Sequence, residues 1–161
     1  MSCNCLPEQY KIVALYGGAS NSISAGTDYI CCKNAHRVTF LIYTYGTTAT
    51  TLVLSLREAT DVAAGTTAAI TEVFPVWKVI STTSTDALTK VATDIASLTI
   101  DPDGTDSTML AVMQWDPSKH AAGYDCISVW GTTGDASDVI VVLAVIEERY
   151  AQAIPPTAIT D

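Results

Sequence analysis

The sequence predicts an all-β fold, an antiparallel sandwich or barrel with an extended N-terminal arm and a C-terminal tail. Three observations point there. Short apolar runs punctuated by Gly, Asp and Thr recur about every 10–15 residues, the spacing of strands and their turns. Thr is frequent and sits among Val and Ile, and such β-branched residues fit a pleated surface better than a helix. Helix signals are weak: only Ser84–Ile95 has a helical spacing, in Ala87, Leu88, Val91 and Ile95, and its Thr content tips it to a strand or hairpin.

In chain order the expected strands are Lys11–Tyr16, Asp28–Lys33, Arg37–Tyr45, Thr51–Arg57, Val73–Ile80, Ala87–Ile100, Ser107–Trp115, Asp125–Gly131 and Val139–Glu147. In Arg37–Tyr45, Val38, Phe40 and Ile42 have one parity and Thr39, Leu41 and Tyr43 the other, so both faces carry bulky groups. Such a strand is expected to be covered on both sides, in a sandwich or at a subunit contact. Pro75 cannot donate to a ladder and demotes its strand to an edge or bulge. Tyr45-Gly46-Thr47-Thr48, Asp101-Pro102-Asp103-Gly104 and Gly131-Thr132-Thr133-Gly134-Asp135 read as turns. Gly17–Gly26 reads as a loop rich in small residues. The whole of 1–161 is expected to form one β-rich domain, with a core over about 10–151, an arm at 1–10 and a tail at 152–161. Arms of this kind order against a partner.

Composition narrows the function classes. Apolar residues make up 48% of the chain and charged residues 16%, with a net charge of −9. That balance is too apolar for a disordered chain and has the wrong sign for a phosphate backbone or an anionic membrane surface. It suits a protein that hides surface in an assembly. The N-terminus has no secretory pattern, and the longest apolar run, Val139 to Ile146, falls far short of the roughly 20 residues that span a bilayer. The expectation is a protein folded in a cytoplasm, with neither nucleic acid nor membrane as partner.

The chemistry-bearing residues are sparse. Cys3, Cys5, Cys31, Cys32 and Cys126 are odd in number and do not read as a disulfide framework. Cys31 and Cys32 adjoin in a strand and point to opposite faces, and Cys126 reads as a small buried residue. A zinc set of Cys3, Cys5, one of Cys31 and Cys32, and His36 lacks the usual Cys-x2-Cys pairs, so no metal and no cofactor are expected. His36 and His120 read as surface or loop side chains, and no Asp or Glu has a distinctive setting for acid–base work. The Asp101, Asp103, Asp106 run fails the EF-hand pattern, because Thr105, Asp106 and Val112 fall where an acidic residue, Gly and Glu are needed. No Gly-x-Ser-x-Gly, dinucleotide or phosphate-loop motif is present, so no catalytic residue is assigned. Tyr43, Tyr45, Trp77, Trp115 and Trp130 lie in apolar runs, which favours core or subunit packing over a sugar platform.

The order of segments resembles small virion structural proteins of tailed bacteriophages, in particular capsid decoration (cement, or head auxiliary) proteins. The segments that carry the resemblance are Lys33-Asn34-Ala35-His36-Arg37-Val38-Thr39-Phe40, Leu56-Arg57-Glu58-Ala59-Thr60-Asp61-Val62-Ala63, Leu98-Thr99-Ile100-Asp101, Gly123-Tyr124-Asp125-Cys126-Ile127-Ser128-Val129 and Glu148-Arg149-Tyr150-Ala151. They run through nearly the whole chain, and none is catalytic. The chain departs from the family in a short turn at Thr47–Thr51 and in its five cysteines. The resemblance implies a non-enzymatic β-rich subunit, a homotrimer that binds major capsid protein on the head surface and is assembled in the host bacterial cytoplasm. Contacts to capsid or subunits are expected from Cys5, Leu6, Tyr10, Ile154, Pro155, Pro156 and Ile159, and from the Gly17–Gly26 loop. The alternatives are a neck or tail component, and a carbohydrate-binding β-sandwich using Trp77, Trp115 or Trp130.

Overall fold

A strand whose alternate residues are apolar must bury one face, and two such sheets laid face to face bury both at once. The computed structural model has this arrangement; it describes residues 10–46, 51–80, 85–100, 108–132 and 135–150. In chain order the strands are β1 (Lys11–Ala19), β2 (Ile30–Cys31), β3 (Ala35–Tyr45), β4 (Leu52–Ala59), β5 (Thr67–Ala69), β6 (Val76–Ile80), β7 (Thr89–Lys90), β8 (Ser97–Ile100), β9 (Thr108–Trp115), β10 (Cys126–Gly131) and β11 (Val139–Glu148). Six form one antiparallel sheet in the order β1-β11-β3-β9-β6-β7, and four form a second in the order β2-β10-β4-β5, with β8 also on β4. The fold is an antiparallel β-sandwich. No helix of the described residues is long and apolar enough to cross a membrane.

The core lies between the sheets. Val38, Phe40 and Ile42 of β3, Ile140, Val142 and Ala144 of β11, and Ala111 and Met113 of β9 meet Leu54 and Leu56 of β4 and Ile127 and Val129 of β10, all fully buried. Each large aliphatic side chain buried in this way contributes about 1.5–3 kcal/mol. The end near β10 is plugged by Ile23, from a 3-10 turn over Ser20–Ala25. That plug depends on Gly131, where a Cβ would lie 2.5 Å from the Ile23 side chain.

Several expectations hold with shifted ends. β1 runs on through Ala19, so the anticipated Gly17–Gly26 loop is part strand and part 3-10 turn. β6 begins after Pro75, whose carbonyl accepts from the Gln114 N–H, and only two residues of β7 cover its outer edge. The long Ala87–Ile100 strand is a correction: it breaks into β7 and β8, which pair in different sheets. Between them Ile95 makes an isolated bridge to Phe74. β5 was not expected; its Thr-Ala-Ala run is too short to show periodicity. The Asp101–Gly104 turn lies outside the described residues.

Phe40 sits in the middle strand under both neighbours. Replacing it with Ala is expected to cost about 3–5 kcal/mol, as a lowered urea midpoint with an unchanged m-value would show.

Candidate interaction face

The two outer faces differ. On the second sheet, outward residues of β10 and β4 are partly roofed by the chain that leads into β2. Ser128 donates to the Thr27 carbonyl at 2.9 Å, and the Arg57 guanidinium stacks 4.3 Å from the Trp130 ring centre. Gly26, at φ +85°, passes so close to Trp130 that a Cβ would lie 2.4 Å from its indole nitrogen.

Among the described residues the first sheet has no such roof over β3, β9 and β11, whereas at β6 Val79 is buried and Trp77 lies beneath Lys90. Its register lines up outward residues in rows across five strands. One row is Trp77, Val112, Leu41, Leu143 and Ala14; the next is Val79, Leu110, Tyr43, Val141 and Gly17. A third adds Tyr45 beside Val139. Tyr43 is 40% exposed, Tyr45 47%, Val139 43% and Ile12, on the edge strand, 44%. A rim of charge borders the patch: Arg37 donates twice to Glu147 Oε2, at 3.0 and 2.9 Å, and the Lys90 ammonium lies 5.7 Å from the centre of the Trp77 ring. An apolar centre within a charged rim is the anatomy of a protein–protein contact. From strand and residue spacings the rows cover on the order of 500 Å², less than the roughly 800 Å² per partner of a stable interface.

The expectation that both faces of β3 are covered is met among the described residues on one face only. Of the expected contact residues, Tyr10 is described, half-buried just before β1. Cys5, Leu6, Ile154, Pro155, Pro156 and Ile159 lie outside the described residues. The sequence read a second bulky face from Thr39, Leu41 and Tyr43 but did not place Leu41 or Tyr43, at the centre of the patch, among the expected contact residues.

Two further expectations are corrected. His120 is not a surface side chain, and Glu58 does have a distinctive setting. β4 alternates Leu52, Leu54, Leu56, Glu58 toward the core, so the last inward position carries a carboxylate, 6% exposed. His120 Nδ1 lies 3.0 Å from Glu58 Oε2, and the same oxygen accepts the Ala121 N–H at 3.1 Å. Trp115, buried on β9, donates its indole N–H to His120 Nε2 at 3.3 Å. With Nε2 accepting, the proton of a neutral ring sits on Nδ1 and is donated to Glu58. The clasp ties one sheet to the other at the end of the core. Because the indole occupies Nε2, the ring is set as a structural bridge.

His36 is exposed, as expected. Trp115 is fully buried, so it offers no sugar platform; Trp77 and Trp130 are half-buried beneath Lys90 and Arg57. Cys32 points into the main core and Cys31 to the opposite face, as strand alternation requires. Burial pushes the Cys32 thiol well above its usual range.

No family model matches the chain, and no curated protein matches it. Among solved structures it is similar to an SPBc2 prophage-derived protein, YomS, at 10% identity and a TM-score of 0.48, over 85% of this chain and 92% of that one. It is also similar to a Clostridium thermocellum xylanase 10B fragment with CBM22-1 and GH10 modules, at 12% identity and a TM-score of 0.30, over 92% of this chain and 28% of that one. Both overlaps are too loose to carry an argument about function.

Glu58→Ala would strand the His120 ring N–H and the Ala121 N–H at the end of the core. The expected loss is about 1–3 kcal/mol for each orphaned donor, measured by chemical denaturation. Glu58→Gln, which keeps an acceptor oxygen, is expected to lose less.

Proposed function

We propose that the chain is a structural subunit of a tailed-bacteriophage particle, a capsid decoration protein that forms a homotrimer and bridges major capsid protein subunits on the assembled head. The observation that carries this reading is the unroofed apolar face of the six-stranded sheet, with its charged rim. A monomer with this face toward water would keep tyrosine, valine and isoleucine side chains wet that a subunit contact would bury. The sequence resemblance supplies the kind of assembly.

The area of the face adds a constraint. Because the patch alone falls short of a stable contact, the reading requires further surface from the two ends of the chain, where Cys5, Leu6, Ile154, Pro155, Pro156 and Ile159 lie. A subunit that binds the assembled shell and not its free building blocks stabilises the shell by mass action. Many repeated sites on one particle make a modest contact at each sufficient. No bond is made or broken in this role.

Purified virions are expected to carry stoichiometric copies of the chain on the outer shell, and light scattering of the free protein is expected to give a trimer. Recovery only from the tail, or a ring of six or twelve copies, would overturn the head assignment in favour of a neck or tail component. The double substitution Tyr43→Asp with Val139→Asp is expected to keep the β-rich circular dichroism of the folded chain at a cost of about 1–3 kcal/mol in unfolding free energy, while reducing trimer formation and shell binding at least tenfold.

A further inference from the structure

A second cluster lies on the outer face of the smaller sheet, away from the apolar patch. β2 and β10 pair antiparallel with Cys31 directly opposite Cys126, so both thiols stand on the same face. Asp125 lies just before β10, where its backbone is tied to both neighbouring strands: its carbonyl accepts the Cys32 N–H at 2.7 Å and its N–H donates to the Ala59 carbonyl at 3.2 Å. Its carboxylate turns to the sulfur, with Oδ1 3.4 Å from Cys126 Sγ. One ligand atom from each of Cys31, Asp125 and Cys126 lies within 4.8 Å of the others. Cys126 is fully buried, whereas Cys31 and Asp125 are half-exposed and leave a way in from solvent.

The spacing suits a metal ion. A tetrahedral zinc centre has Zn–S near 2.3 Å and Zn–O near 2.0 Å, so its ligand atoms stand about 3.5–3.8 Å apart. The Oδ1–Sγ separation of 3.4 Å is close to that range, and bringing in the half-exposed Cys31 thiol takes about 1 Å of side-chain movement. Two thiols beside a carboxylate select a borderline-soft transition metal over calcium or magnesium, which prefer an all-oxygen shell. Tyr29, two residues before Cys31 and on its face, packs in the same small cluster, and its hydroxyl is buried without a hydrogen-bond partner among the described residues.

Burial first, and then the second thiol and the Asp125 carboxylate, raise the Cys126 thiol above its usual range. A dication reverses the sign, because it stabilises both thiolates and the carboxylate together.

We propose that Cys31 Sγ, Cys126 Sγ and Asp125 Oδ1 bind one Zn²⁺ ion, with a fourth position open to water. Binding forms two Zn–S bonds and one Zn–O bond, and the two S–H protons pass to solvent, so no oxidant or reductant is involved. The ion fastens the short β2 to β10 at the free edge of the sheet, and this role is independent of any capsid partner.

The test uses the full-length chain, purified with reductant removed under nitrogen, and titrated with Co²⁺ and then Zn²⁺. The expected result is one equivalent of Co²⁺ with thiolate-to-metal charge-transfer absorption in the near ultraviolet, displaced by Zn²⁺. Cys31→Ser is expected to weaken binding at least tenfold and Asp125→Asn severalfold, with circular dichroism unchanged. Zn²⁺ is also expected to raise the Tm of the parent chain, reversibly with EDTA, and to leave that of Cys31→Ser unmoved. Cys3→Ser with Cys5→Ser is expected to keep the absorption band. The proposal is overturned if the band is absent, if it survives Cys31→Ser at full affinity, if it is lost with Cys3 and Cys5, or if mass spectrometry shows a Cys31–Cys126 disulfide in the protein as purified.

Discussion

A β-sheet has two faces, and the described residues of this chain cover only one of them across the middle of its larger sheet. That constraint organises the rest of the molecule. The inward residues of β3, β9 and β11 are buried against β4 and β10, and this burial supplies the main stabilisation of the sandwich. The outward residues of the same strands are nearly as apolar and have no roof among the described residues. A chain with only 16% charged residues has few charged side chains with which to cover a second face. In the proposed role association covers that face, and the charged rim gives the contact its border.

The smaller sheet solves the same problem differently. Its outer face is polar or is shielded by its own chain, through Thr27 on Ser128, Gly26 against Trp130 and Arg57 over the indole. There the cysteines are drawn together as well. The division of labour is therefore by sheet: one outer face offers apolar area, and the other holds the polar and thiol chemistry.

The buried clasp of Glu58, His120 and Trp115 shows how polar groups can serve an apolar core. A carboxylate at the last inward position of β4 would be costly alone. Two donors meet one of its oxygens, the imidazole is oriented by the indole, and the three side chains join the two sheets where the apolar packing ends. Such a network specifies how the sheets are placed relative to one another as well as holding them together.

The all-β class, the order of most strands along the chain and the two bulky faces of Arg37–Tyr45 were legible from the sequence, because a period of two is a local property of consecutive residues. The parity of Thr39, Leu41 and Tyr43 likewise announced a second bulky face. Partnership between strands was not local, and only the tertiary structure decided it. Nothing near Ala87–Ile100 says that its two halves join different sheets, since either edge can accept a strand. His120 reads as a loop residue until the fold brings Glu58, 62 residues away, against its ring. Cys31 and Cys126 are far apart in the chain and become neighbours only through the pairing of β2 with β10. Alternation determines which side of a strand is apolar, whereas the closure of long loops determines which strands and side chains meet.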